Sequence, residues 1–383
     1  MKFAAITIFF SLILLHSSES AITFGDILTG SKDTLIGVVS NVGTLIPTPT
    51  QFFSGTKNLL AGYPIEVVST AINEVCSTLM YSDSITPKIM PDLKTMNFQF
   101  ITPCQKYLIP ILSPGDLLKI GAFDFSKKTV ILVTGWRTTI DNSDTIVELS
   151  KAYNCRGGVN FIAIDVASAV DTLFTWSALN TEKLGEYLGQ ALADLVKYIP
   201  VESLHLIGHS LGAHIVGAAG RTFTEITEQK LPHITGLDPA KPCFNEGENL
   251  SGLMRGDAQF IDVIHSNPGV LGKRDPTGDV DFYPDGLAPL PKGCLTVTCA
   301  HSRAWEYYVE SVYPGNEFNF MAYRCNSLLK LQQGRCSRNI ATPMGYASVN
   351  SLKGNYFLEV RGSSPFGLNG NKTRDEANAM CGE

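Results

Sequence analysis

Ser210 stands between two glycines in Gly208-His209-Ser210-Leu211-Gly212. Before it, Leu204-His205-Leu206-Ile207 is short and apolar, as a strand would be; after it, Leu211 to Arg221 reads as a helix. A G-x-S-x-G in that setting is a sharp strand-to-helix turn that strains the serine backbone and lifts its hydroxyl clear of the sheet. Glycine and serine are common, so the pentapeptide alone could be coincidence; the flanks decide for nucleophilic acyl transfer. A hydroxyl needs a general base, and in such turns the chain order is serine, acid, histidine. The seven histidines are His16, His205, His209, His214, His233, His265 and His301. The acid found after Ser210 is Asp238, in Gly236-Leu237-Asp238-Pro239-Ala240, just past an apolar run whose exit Pro239 sets. Only His265 and His301 follow it.

His265 closes the strand-like run Phe260 to Ile264, where a structural hydrogen bond is the plainer role. His301 lies in Cys299-Ala300-His301-Ser302-Arg303-Ala304, read as a loop tied by Cys299 and running into a helix around Trp305 to Val312. A braced loop suits a base, so His301 is preferred. Ser210 then attacks an ester carbonyl, His301 takes its proton and returns it to the leaving alcohol, and Asp238 holds the imidazole tautomer. The tetrahedral intermediate needs two main-chain N–H donors. Leu211, directly after the nucleophile, is one. Trp136, in Thr134-Gly135-Trp136-Arg137 after the run Thr129 to Val133, is the other; its side chain can equally be a packed core aromatic.

These residues require a scaffold of alternating strands and helices. Strand-like runs are Thr129 to Val133, Val159 to Ile164, Leu204 to Ile207, Ile234 to Leu237 and Phe260 to Ile264; Thr181 to Tyr198 and Leu211 to Arg221 read as helices. The alternation predicts an α/β fold, a mostly parallel central sheet with helices on both faces, whose site lies at the carboxyl ends of the strands. Residues 21–95 read differently, as an N-terminal helical extension. Ile65, Val68, Ile72, Val75 and Leu79 are spaced helically, and prolines break the segment at 47–49 and 87–91.

The chain has 383 residues, 44% hydrophobic and 17% charged, with a formal net charge of -6. That content supports a packed core, and no basic run supports nucleic-acid binding. Residues 1–20 read as a secretory signal: Lys2, an apolar stretch from Ala4 to Leu15, then Ser18-Glu19-Ser20. Twelve helical residues rise about 18 Å, short of a bilayer core of about 30 Å. A secreted chain with nine cysteines is expected to form disulfides and leave one thiol over. There is no CxxC or HExxH, so neither a metal nor any other cofactor is expected. Asn249 and Asn371 head glycosylation sequons.

The motifs GHSLGAH (Gly208 to His214), GLDPAKPCF (Gly236 to Phe244), FIDVIHS (Phe260 to Ser266), DFYPDG (Asp281 to Gly286) and CAHSRAWEYY (Cys299 to Tyr308) resemble those of the pancreatic-lipase family of secreted α/β-hydrolases. The resemblance leans toward the lid-poor neutral lipases and phospholipases A1 of insects. It covers about residues 96–365, and the lipase domain is placed at 96–383. It implies hydrolysis of lipid esters at a membrane, micelle or droplet surface. Vertebrate members add a C-terminal β-sandwich that docks lipid or colipase; no such domain and no colipase partner are expected here. Thr134 stands where the family often has histidine. Met254-Arg255-Gly256-Asp257 is poorer in acids than the calcium cage of some relatives, so no calcium is expected.

The resemblance also implies that Cys294 and Cys299 close the lid loop and that Cys325 pairs with Cys336. Cys243 is then the expected free thiol, with Cys76, Cys104, Cys155 and Cys381 left for two unspecified bridges. Four lid residues reach at most about 14 Å, so an open site without strong interfacial activation is expected. Fifteen residues separate His265 from Asp281, making the second covering loop short as well. The rival reading is a catalytically silent binding or storage protein resembling insect yolk proteins on the same fold, in which the serine or histidine is typically lost. A serine peptidase would share the three residues but not the motifs around them.

Overall fold

Strands that are apolar on both sides must lie between two layers, and the middle strands of this chain are of that kind. The computed structural model describes residues 92–135, 143–166, 174–244 and 250–381. The signal at 1–20, the helix expected around Ile65 to Leu79, nearly all of the extension, Trp136 and the Asn249 sequon lie outside the described residues. In chain order the strands and helices are β1 (Asn97–Ile101), β2 (Lys106–Pro110), β3 (Lys128–Val133), α1 (Asp144–Arg156), β4 (Val159–Asp165), α2 (Phe174–Leu195), β5 (Leu204–His209), α3 (Leu211–Thr227) and β6 (His233–Leu237). There follow β7 (Phe260–Ile264), β8 (Val280–Pro284), α4 (Val297–Val312), β9 (Met321–Cys325), α5 (Leu328–Gln332), β10 (Ala341–Pro343), β11 (Gly354–Leu358) and α6 (Arg374–Ala379).

One 11-stranded sheet runs in the order β10-β9-β11-β8-β7-β6-β5-β3-β4-β1-β2. From β4 through β3, β5, β6, β7 and β8 to β11 the pairing is parallel. Antiparallel strands lie at either margin. All six residues of β5 are buried, as are all five of β6's neighbour β7. Edge strand β2 keeps charged Lys106 and Pro110 exposed, which discourages pairing with another chain.

On one face Leu184, Leu188, Leu192 and Leu195 of α2 and Ile215, Val216, Ala219 and Phe223 of α3 pack on Ile131, Leu206, Ile234 and Val263. A Cβ at Gly185 would sit 2.3 Å from that of Ala218, so α2 and α3 approach more closely than side chains would allow. On the other face Ile146, Leu149 and Tyr153 of α1 and Tyr308, Val309 and Val312 of α4 pack on Val130, Leu132, Ile207, Leu237 and Phe282. Truncating one of these leucines to alanine costs about 2–5 kcal/mol. The sheet is thus mostly parallel and covered on both faces, as the alternation predicts.

Some boundaries move. α2 starts before Thr181 and ends at Leu195 because Lys197 and Tyr198 close tighter turns onto Asp194 and Leu195. The Cys294–Cys299 and Cys325–Cys336 bridges are present, and Cys155 is joined to Cys381. Cys243, expected free, is disulfide-bonded; the free cysteine among the described residues is exposed Cys104, in the β1–β2 turn. Pairing follows proximity in space, which spacing along the chain does not reveal. Asn371 of the second sequon is exposed.

Candidate active site

β3 and β5 are neighbours, yet β4 lies on the far side of β3. The sheet therefore reverses its winding between β3 and β5, the place at which open parallel sheets carry their sites at the strand ends. Ser210 follows β5 there with φ 59° and ψ −122°, a conformation that costs about 1–3 kcal/mol for a residue with a side chain. Its N–H donates to the Leu237 carbonyl at 3.0 Å, and its carbonyl accepts from Ala240 N at 3.2 Å, so β6 grips the turn. A Cβ on Gly208 would fall 2.4 Å from Ala213 Cα, and one on Gly212 would fall 2.1 Å from the Val133 carbonyl oxygen. Only glycines let the turn fold this tightly against the end of β3. Gly135 faces Ser210 directly: a Cβ there would lie 2.5 Å from Ser210 Cβ and 3.0 Å from its Oγ.

Asp238 leaves β6 with φ 44° and is fully buried. Its Oδ1 accepts from Ser266 N at 2.8 Å and Asn267 N at 3.0 Å; its Oδ2 lies 2.5 Å from His301 Nδ1. Two main-chain donors plus an imidazole N–H leave that carboxylate fully engaged. Gly272, from the loop between β7 and β8, lies over it so closely that a Cβ would come within 2.2 Å of Oδ1. This loop is therefore a cover for Asp238. Ser210 Oγ, in contrast, is not hydrogen-bonded to the His301 imidazole. The structure brings acid and base into contact and places the serine at the same end of the sheet.

His301 is not in a loop, as expected, but within the first turns of α4. Thr296 caps that helix, its Oγ1 accepting from Cys299 N at 3.2 Å, and the Cys294–Cys299 bridge closes across the cap. The cap supplies an acceptor for an N–H that the first turn would otherwise leave unpaired, so the helix starts at Val297. The His301 side chain is 14% exposed, and among the described residues its Nε2 has no hydrogen-bond partner. His265 is fully buried instead, with Nδ1 2.8 Å from the Lys273 carbonyl and Nε2 2.9 Å from Asp281 Oδ1.

Several supporting residues carried no assigned role in the sequence. His214 Nε2 donates to the Ala240 carbonyl at 2.7 Å while Nδ1 accepts from Leu253 N at 2.9 Å, and Phe244 stacks on its ring. Burial lowers its pKa to about 3, so it stays neutral and steadies the turn after Asp238. Ser266 joins the Asp238 carboxylate to α4, its Oγ accepting from Ala304 N at 3.1 Å. His209 donates from Nε2 to the His301 carbonyl at 3.2 Å. His209, His214 and Ser266 all lie inside the quoted motifs, and that position was the one available signal.

Of the oxyanion candidates, Leu211 opens α3 beside the end of β3, while Trp136 lies outside the described residues. The Met254–Asp257 segment carries Asp257, whose Oδ2 accepts from Arg221 Nη1 and from Met254 N, both at 2.9 Å. Burial raises the Asp257 pKa to about 6 against the pull of Arg221. Among the described residues no group of three or more His, Cys, Asp or Glu is arranged to hold a metal ion.

A parallel sheet clad on both faces, with a strained serine at its winding reversal and a histidine–carboxylate pair at the same strand ends, defines an α/β-hydrolase. The family model for lipases matches residues 110–366, and the chain belongs to that family. It is 43% identical over 211 residues to vitellogenin-3 of Drosophila melanogaster, covering 54% of this chain and 50% of that one. It is 34% identical over 251 residues to pancreatic lipase-related protein 2 of Rattus norvegicus (58% and 51%) and 32% identical over 279 residues to lipoprotein lipase of Bos taurus (64% and 56%). The chain spans about half the length of the curated relatives it matches.

Proposed function

We propose that the protein is a secreted lipid carboxylic-ester hydrolase in which Ser210, His301 and Asp238 act together. The observation that carries this reading is the Asp238–His301 contact at 2.5 Å beside the strained Ser210 turn. Asp238 fixes the proton on Nδ1 and so leaves Nε2 as the basic nitrogen. When Nε2 meets the Ser210 hydroxyl, it takes the proton as Oγ attacks the ester carbonyl; catalytic hydrogen bonds of this kind are often loose until substrate binds. The resulting oxyanion accepts from the N–H groups of Leu211 and Trp136. His301 returns the proton to the departing alcohol, and water then releases the acid from the acyl-serine by the same route.

The short Cys294–Cys299 loop supports an open cleft. Leu295 at its tip is 93% exposed, so it is placed to meet a lipid surface rather than to close over the site. An open cleft admits a bulky polar head, which favours phospholipid at the first acyl position over triglyceride alone. The disulfides among the described residues support an extracellular setting.

Identity to vitellogenin-3 favours a second reading, a catalytically silent lipid-binding or storage protein. Hydrolysis of p-nitrophenyl butyrate by the wild type, abolished in Ser210→Ala, supports the first; equal rates for the two proteins support the second. Phosphatidylcholine and triolein, given separately, then assign the lipid class. Activity that climbs smoothly through the micellar threshold agrees with an open cleft, and an abrupt jump there contradicts it.

A further inference from the structure

His209, the residue before Ser210, has no part in the chemistry above, yet it is the side chain that joins the nucleophile's strand to the base's helix. It ends β5 and is almost completely buried. Its Nε2 lies 3.2 Å from the His301 carbonyl oxygen. Its ring centroid is 4.8 Å from that of the His301 imidazole, with the planes tilted by 38°. A carbonyl only accepts, so the proton of His209 sits on Nε2. Burial, helped by the nearby His301 ring, brings its pKa down to about 3, and it is neutral across the working range of an ester hydrolase.

The same carbonyl has a second tie. Ser266 Oγ lies 3.5 Å from it, accepts from Ala304 N, and belongs to the residue whose N–H holds Asp238 Oδ1. The first turns of α4 are therefore fastened to the end of β5 through His209 and to the end of β7 through Ser266. The titratable side chains in contact with His301 among the described residues are Asp238, from the end of β6, and His209, from the end of β5.

We propose, on the reading that Ser210, His301 and Asp238 act together, that His209 is a positioning residue. It fixes the His301 carbonyl and ring relative to the adjacent Ser210, so that Nε2 of His301 is delivered onto the hydroxyl. Asp238 alone fixes one end of the imidazole and leaves the helix beneath it free to shift along the sheet edge. A tie from the residue bonded to Ser210 removes that freedom, and a misplacement near 1 Å costs about 10²-fold in rate. Being neutral, His209 supports the imidazole without opposing the positive charge that His301 gains during attack.

The test compares wild type with His209→Phe, which keeps a ring and loses the donor, and His209→Gln, which returns an N–H near the position of Nε2. With p-nitrophenyl butyrate, His209→Phe is expected to lower kcat about tenfold at unchanged KM, and His209→Gln to recover most of that loss. An unchanged kcat in His209→Phe, or equal losses in both variants that follow a fall in Tm, overturns the proposal. His209→Asn, whose amide is too short to reach the carbonyl, serves if the phenylalanine variant does not fold, and is expected to resemble it. The low-field proton resonance of His301 Nδ1–H gives a readout independent of turnover. It should be sharp in wild type and His209→Gln and broadened in His209→Phe; an identical signal in all three overturns the positioning role. A wild type that hydrolyses no ester defeats the catalytic reading, while this resonance still decides the role of His209.

Discussion

Two histidine–aspartate pairs lie at the carboxyl ends of β6 and β7, Asp281 reaching one of them from the start of β8, and only one of the pairs is arranged as a base. His265 and Asp281 are both fully buried; both imidazole nitrogens are occupied, and Tyr283 stacks on the ring at 4.5 Å, nearly parallel. Asp281 Oδ1 also accepts from Thr277 N at 2.7 Å and Gly278 N at 3.1 Å, which pins the loop that covers Asp238. His301 has the same kind of carboxylate on one nitrogen, but the other is unoccupied, and its ring reaches the surface. Residue type does not separate a brace from a base. What separates them is whether one nitrogen is left over and whether anything can reach it.

The largest test of that contrast is on chemistry. His301→Ala should lower kcat on a soluble ester by about 10⁴-fold. His265→Gln should keep kcat within about tenfold when assayed well below its Tm. Equal losses of kcat in the two variants would erase the distinction. The next effect is on stability: His265→Gln takes the imidazole from buried Asp281, whose Oδ1 keeps the Thr277 and Gly278 N–H donors, and should lose about 1–3 kcal/mol in urea unfolding.

Gly272→Ala sharpens the contrast from the cover loop. The added Cβ presses on Asp238 Oδ1, which should shift the carboxylate and cost about 10–100-fold in kcat, with KM for a short ester unchanged. A fully active, stable Gly272→Ala protein would show that Asp238 is not held in place by this loop.

The same buried rings predict a pH dependence of stability. His209 and His214 have pKa values near 3 in the folded protein, against an ordinary 6.5. The unfolded chain therefore takes up protons first as pH falls. Stability is complete above about 6.5 and is lost progressively toward about 3, by up to about 1.4 kcal/mol per pH unit for each histidine. Asp257, raised to about 6, acts in the opposite sense between about 6 and its ordinary 3.8 and offsets part of the slope. Urea midpoints at pH 7, 6 and 5 should fall in that order; a rising series contradicts the neutral, buried state of the two rings.

Much of this was legible in the sequence because local chemistry imposed it. The glycines around Ser210 leave one turn, and the apolar runs leave one kind of strand. The tie at Cys299 reads as a loop holding His301, yet a helix cap stands in the sequence at Thr296, three residues before Cys299. Cys243 is the thiol the resemblance leaves over, whereas its bond depends on what comes near it in space. The tie from His209 to the His301 carbonyl had no sequence signal beyond its place in the motif, since it spans 92 positions of chain.

By itself the sequence determined the tight turn at Ser210 and the alternation of strands and helices around it, because each of these follows from the backbone that neighbouring residues can adopt. The tertiary structure decided which imidazole keeps a nitrogen open, where α4 begins relative to β5, and which loop shields Asp238. Those outcomes depend on contacts between segments far apart in the chain, and each such contact depends on how the layers close on the sheet.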